Sequence, residues 1–91
     1  MRFEWDERKR KSNLRKHRID FLGCEAIFAG TVKTVIDDRA DYGEERFVTF
    51  GLLDNRVVAM VHTETADTIR VISIRKATKR EQTLFFEGIQ D

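Results

Sequence analysis

The stretch Arg70 to Arg80, read RVISIRKATKR, gathers five basic residues (Arg70, Arg75, Lys76, Lys79 and Arg80) and no acid. Its first half has the β-branched make-up of a strand, and Thr78 followed by Glu81 forms a capping box, so a strand is expected to run directly into a helix. A cationic strand-to-helix junction is a natural place to hold a phosphate. The same run also reads as a solvated basic face beside a packed strand.

The elements that must position this junction follow from pattern. Phe3-Glu4-Trp5 reads as an extended lead-in and Asp6 as the N-cap of a helix over roughly Glu7 to His17, polar apart from Leu14. Asp20 is expected to cap a second, shorter helix through about Ala29, with Phe21, Cys24 and Phe28 on one face and Gly30 ending it. Thr31 to Ile36 reads as a strand and Asp37 to Glu45 as a polar loop, either merely solvated or a register for a partner. Strands follow at Arg46 to Leu53 and Arg56 to Thr63, joined by Asp54-Asn55, a pair that tolerates the positive φ of a tight turn. A turn around Thr65 to Asp67 leads into Thr68 to Ile74, and a last helix from Lys79 to about Gly88 presents Leu84, Phe85 and Ile89 to the body of the domain. The expected fold is α+β: two N-terminal helices, an antiparallel meander of three to four strands and a C-terminal helix, in one domain over residues 1–91.

With the turns so centred, Leu53 faces Arg56, Glu64 faces Thr68, His62 faces Arg70 and Arg46 faces Thr63. Arg70, Ile72 and Ile74 then point one way and Val71, Ser73 and Arg75 the other, so Arg70 and Arg75 share a face only if a bulge or the strand end turns one of them. Val48, Phe50, Val61 and Val71 fall on one face of the meander and Phe47, Met60, Ile72 and Ile74 on the other, so helices are expected to cover parts of both.

Composition narrows the class. At 91 residues, 41% hydrophobic and 36% charged, the chain suits one small domain with a single core. It has no run of 18 apolar residues and no apolar stretch behind the basic N-terminus, so neither a membrane span nor a secretory signal is expected and the cytoplasm is the expected compartment. One cysteine, Cys24, permits no internal disulfide, and with only His17 and His62 beside it a Cys/His zinc site is unsupported; no metal or cofactor is expected. The net charge of +1 hides segregation: residues 1–18 carry +5, residues 70–80 another +5, and residues 37–54 carry −4.

Several blocks carry a resemblance. Phe3-Glu4-Trp5-Asp6, Lys9, Asn13, Lys16-His17, Glu25-Ala26 with Phe28, Glu44-Glu45-Arg46-Phe47 with Gly51, Val61-His62-Thr63-Glu64 and Arg70 through Ala77 stand in an order and spacing that resemble the BrnT family, the toxin halves of bacterial type II toxin–antitoxin pairs. Two departures are Arg18, where the family usually has glycine, and Phe85-Phe86, near which it often has tyrosine. The resemblance implies a RelE-like fold, RNA cleavage that arrests translation, and neutralisation by a BrnA-like antitoxin. That partner is a ribbon-helix-helix protein, and DNA is expected to be reached only through it.

Metal-free RNA cleavage needs a base for the 2′-hydroxyl, an acid for the 5′-oxygen and fixed positive charge around phosphorus. Guanidinium forks match phosphate oxygens, so Arg70 and Arg75 are the expected phosphate stabilisers, with Arg46 as a third. His62, whose reference pKa lies near neutrality, and Glu64 on the same strand face are the proton-transfer candidates; the alternatives are a structural histidine and a plain solvated carboxylate. Lys76, Lys79 and Arg80, with Lys9 and Lys16, would attract the RNA backbone. The competing function is a non-catalytic module that binds the antitoxin and acts as a co-repressor.

Overall fold

The computed structural model describes the backbone of residues 1–89 and the side chains through Gly88. Chain order is β1 (Arg2–Glu4), α1 (Glu7–His17), a 3₁₀ segment (Cys24–Ala29), β2 (Lys33–Ile36), β3 (Phe47–Leu53), β4 (Arg56–Glu64), β5 (Thr68–Lys76) and α2 (Lys79–Ile89). The strands form one five-stranded sheet in the order β1-β5-β4-β3-β2. The class is α+β as expected, but the sheet is mixed: the lead-in is itself a strand, with Arg2, Phe3 and Glu4 running parallel to Thr68, Ile69 and Arg70. Among the described residues no helix is long and apolar enough to cross a membrane.

Helix α1 starts where Asp6 accepts hydrogen bonds from the backbone N–H groups of Arg8 (2.8 Å) and Lys9 (3.3 Å). It ends at Arg18, which adopts the left-handed conformation (φ 61°, ψ 27°) and donates its N–H to Leu14 O. That conformation favours glycine, which gives a physical reason for a glycine at this helix exit. Asn13, buried on the inner side of α1, replaces a strand where β1 has stopped. Its Oδ1 accepts from Ile74 N (3.1 Å), and its Nδ2 donates to Ile74 O (2.9 Å) and Ile19 O (3.0 Å).

The expected second helix is a six-residue 3₁₀ turn. Gly23 (φ 87°) interrupts the chain after Asp20 has accepted from Leu22 N, so no α-helix propagates from that cap. Phe21, Cys24 and Ile27 are the buried residues, a spacing of three that matches the 3₁₀ repeat; Phe28 is only half-buried. Burial pushes the Cys24 thiol up to about 11, leaving it an inert apolar plug. Gly51 on β3 lets this turn press on the sheet, because a Cβ there would lie 2.7 Å from Ile27 Cγ2.

The β3–β4 hairpin closes as expected, with Asp54 (φ 51°) and Asn55 (φ 64°) in the turn and Leu53 opposite Arg56. The β4–β5 register differs by one residue. The turn closes between Thr65 N and Thr68 O (2.9 Å), a two-residue loop, so Thr63 faces Arg70 and His62 faces Val71. A bulge follows: Val61 faces Ser73, and β5 has one residue more than β4. The shift exchanges two core positions. Val71 joins Met60 and Ile74 in the main core under α1 and the 3₁₀ turn, while Ile72 packs with Val48, Ala59 and Val61 on the other face. Helix α2 covers part of that second face through Phe85, which packs with Val57 and Ala77, whereas Leu84 is 45% exposed, contrary to expectation. The expected contact of Ile89 lies outside the described residues.

Candidate functional site

The bulge decides which side chains meet. Arg70, Ser73 and Arg75 lie opposite Thr63, Val61 and Ala59, alternate residues of β4, so all three project from the same face. Arg46 immediately precedes Phe47, which pairs with His62 on the opposite face, so alternation turns Arg46 to the Arg70 side. Glu4 is the β1 partner of Arg70. Thr63, Arg70 and Glu4 thus form a row across three strands, β4, β5 and β1, and Arg46, one residue ahead of β3, continues it past Thr63.

Each arginine has a carboxylate, held with different firmness. Arg75 is committed: its Nη1 and Nη2 donate to Glu81 Oε1 (2.7 Å) and Oε2 (3.0 Å), and the two side chains are 28% and 24% exposed. Glu81 also closes the capping box, accepting from Thr78 N (2.9 Å) while its own N–H donates to Thr78 Oγ1 (3.2 Å). The Arg75 hydrogen bonds, followed by that of Thr78, push the Glu81 carboxyl down to about 2, and Glu81 in turn raises Arg75. Arg46 contacts Glu44 (3.2 Å), with its guanidinium carbon 4.1 Å from the centre of the Tyr42 ring. Arg70 is the least engaged: it is 49% exposed, and its nearest carboxylate oxygen, on Glu4, is 3.8 Å away, beyond hydrogen-bond distance.

The acidic loop therefore has a structural task that its sequence did not disclose. Buried Asp37 accepts two bonds from the Arg39 guanidinium (2.7 and 2.8 Å), one from the Arg39 backbone N–H (3.3 Å) and one from Tyr42 Oη (3.4 Å), which anchors the loop beside Arg46. The Arg39 bonds hold the Asp37 carboxyl below its ordinary range. Arg39, Tyr42, Thr63 and Ser73 were not legible as site residues, because only the register and the loop closure bring them to this face.

His62 stands on the other side of the sheet. It is 0% exposed, stacked on Phe47 (5.9 Å between centroids) and edge-on to Phe28 (6.3 Å). Nε2 lies 2.7 Å from Thr49 Oγ1, which lies 2.7 Å from Thr34 Oγ1, tying β4 to β3 and β2. Nδ1 has no hydrogen-bond partner, and Glu64 Oε1 is 3.6 Å away. Burial lowers the His62 pKa, partly countered by Glu64, so the ring is neutral near pH 7. His62 and Glu64 share a strand face as expected, but it is the face opposite Arg46, Arg70 and Arg75.

The lysines divide into two groups. Lys9 and Lys16 border a recess between α1 and Ile72-Ser73 of β5, beside the arginine face. Lys76 and Lys79 border a separate recess at the β3–β4 hairpin end, with Arg56, and Arg80 is exposed on the first turn of α2. Among the described residues no group of three or more His, Cys, Asp or Glu side chains could hold a metal ion.

A family model described as ribonuclease toxin, BrnT, of type II toxin-antitoxin system matches residues 5–81. No curated protein matches the chain.

Proposed function

The chain belongs to the BrnT family of type II toxin–antitoxin ribonuclease toxins, and from that premise we propose that it cleaves RNA without a metal ion and so arrests translation. The observation that carries the reading is the row of Arg46, Thr63 and Arg70 on one sheet face. Neighbouring strands are about 4.8 Å apart, so the two arginine Cα atoms stand roughly 10 Å apart and their guanidinium groups can close on one phosphate above Thr63.

In this reading the 2′-oxygen attacks the adjacent phosphorus, the P–O5′ bond breaks, and the products are a 2′,3′-cyclic phosphate and a 5′-hydroxyl. Arg70 and Arg46 neutralise the non-bridging oxygens as charge builds in the transition state. Glu4, beside Arg70, takes the 2′ proton, and water supplies the proton to the 5′-oxygen. Arg75, held through both Nη atoms by Glu81, fixes the strand-to-helix junction rather than the phosphate. His62 holds three strands together from behind, and Glu64 stays with it on that face. Lys9 and Lys16 attract the backbone beside the arginine row, and Lys76, Lys79 and Arg80 do so at the far end.

The test is incubation of purified protein with RNA in the presence of EDTA, with mapping of product ends. Cyclic-phosphate 3′ ends support the reading; intact RNA, or cutting abolished by EDTA, contradicts it. One observation favours the competing reading of a binding module without chemistry: Arg46 and Arg75 already hold Glu44 and Glu81. A module of that kind would bind RNA or antitoxin in the same assay and release no product.

Family membership implies a cognate antitoxin. We propose a BrnA-like ribbon-helix-helix protein in that role, with operator DNA reached through it and the complex residing in the cytoplasm.

A further inference from the structure

Between α1 and the β5 bulge lies a recess of about 240 Å³, bordered by Lys9, Ser12, Lys16 and His17 of the helix and by Ile72 and Ser73 of the strand. Two local devices create it. Asn13 spends its whole amide on Ile74 and Ile19, which fixes the helix against the strand edge. The bulge then adds Ile72 to β5 and leaves it half-buried, with Ser73 beside it on the arginine face. The side chains of Ser12, Ser73 and His17 make no hydrogen bond among the described residues, so three groups able to donate and accept border one small space. Ile72 adds an apolar surface, and the two lysines add charge on either side.

That combination matches one chemical object. A nucleobase has apolar faces, a polar edge and a phosphate on each side. A space of about 240 Å³ is large enough to receive one planar ring system. Ser73 lies on the same strand and face as the arginines, roughly 10 Å from Arg70 and roughly 7 Å from Arg75 along the chain direction. A phosphate on Arg70 therefore has its neighbouring nucleotide within reach of the recess. We infer that the recess is a subsite for one unstacked nucleobase of single-stranded RNA, next to the phosphate bound at Arg70. Ser12, Ser73 and His17 read the base edge, Ile72 contacts the ring face, and Lys9 and Lys16 hold the flanking phosphates. The inference deepens the ribonuclease reading and rests on it for the position of the scissile phosphate.

The experiment is an NMR titration of the full chain with each of the four ribonucleoside 5′-monophosphates and, separately, with inorganic phosphate. At least one nucleotide should shift the Ser12, Ile72 and Ser73 amides saturably in a pattern that phosphate does not reproduce. The Ser12→Ala/Ser73→Ala variant should keep its spectral dispersion and bind that nucleotide about fivefold more weakly or worse. In cleavage mapping the same variant should lose about tenfold of the sequence preference at one position beside the cut. No shift with any nucleotide, a pattern that phosphate alone reproduces, or an unchanged variant overturns the subsite. Nucleotide binding by a protein that never cuts RNA would leave the subsite standing and remove the ribonuclease reading; cutting with an untouched recess would do the reverse.

Discussion

Removing the charge of Glu81 tests whether Arg75 is structural or catalytic. Glu81→Gln keeps a side chain that can still close the capping box on Thr78 but abolishes the ion pair with Arg75. The depression of the Glu81 carboxyl from 4.5 to about 2 corresponds to about 3 kcal/mol at 1.36 kcal/mol per pH unit. Both partners are about one-quarter exposed and Thr78 shares in the shift, so about 2 kcal/mol is the working value for the pair. The sign follows from proton binding: the unfolded chain takes up the Glu81 proton near pH 4.5 while the folded one does not until about pH 2, so this stability is full above pH 4.5 and drains away as pH falls toward 2. Urea unfolding at pH 7 and at pH 3.5 of the wild type, Glu81→Gln, Arg75→Gln and the double variant forms the required cycle. A coupling near 2 kcal/mol at pH 7 that shrinks at pH 3.5 is expected. A coupling below about 0.5 kcal/mol at both pH values would refute the structural role and return Arg75 to the phosphate site.

Two further outcomes follow from the fold. Because His62 is buried with a lowered pKa, the unfolded chain binds its proton first, so stability should fall below pH 6.5 by up to about 1.4 kcal/mol per unit until the folded-state pKa is reached. In His62→Gln that slope should vanish from thermal or urea melts, and persistence of the slope would assign it elsewhere. Arg18→Gly should raise stability by about 1 kcal/mol by relieving the left-handed strain at φ 61°, and a loss in urea unfolding would show that the arginine side chain matters more than its backbone.

What could be read from the chain was local. The Asp6 cap, the Asp54-Asn55 turn and the Thr78–Glu81 capping box each need only a few neighbouring residues, and each stands where its spacing indicated. The parallel pairing of β1 with β5 joins residues more than sixty positions apart and leaves no periodic trace in three residues. Phe21, Cys24 and Phe28 suit the 3.6 period of an α-helix as well, and Ile27 reveals the period of three of the 3₁₀ turn only once burial is known. Placing the β4–β5 turn one residue off was enough to set His62 opposite Arg70, and the bulge at Ile72 cannot be inferred from alternation that it breaks. The arginines were legible by their chemistry; which face they occupy was not.

The guanidinium of Arg70, the least engaged of the three, is the group proposed to stabilise a pentacoordinate phosphorus above Thr63. Single-turnover cleavage of RNA by Arg70→Ala, measured beside its melting temperature, tests this most directly. A loss on the order of a hundredfold in rate, about 3 kcal/mol of transition-state stabilisation, with a melting temperature close to that of the wild type is predicted. An unchanged cleavage rate in that folded variant would remove Arg70 from the chemistry.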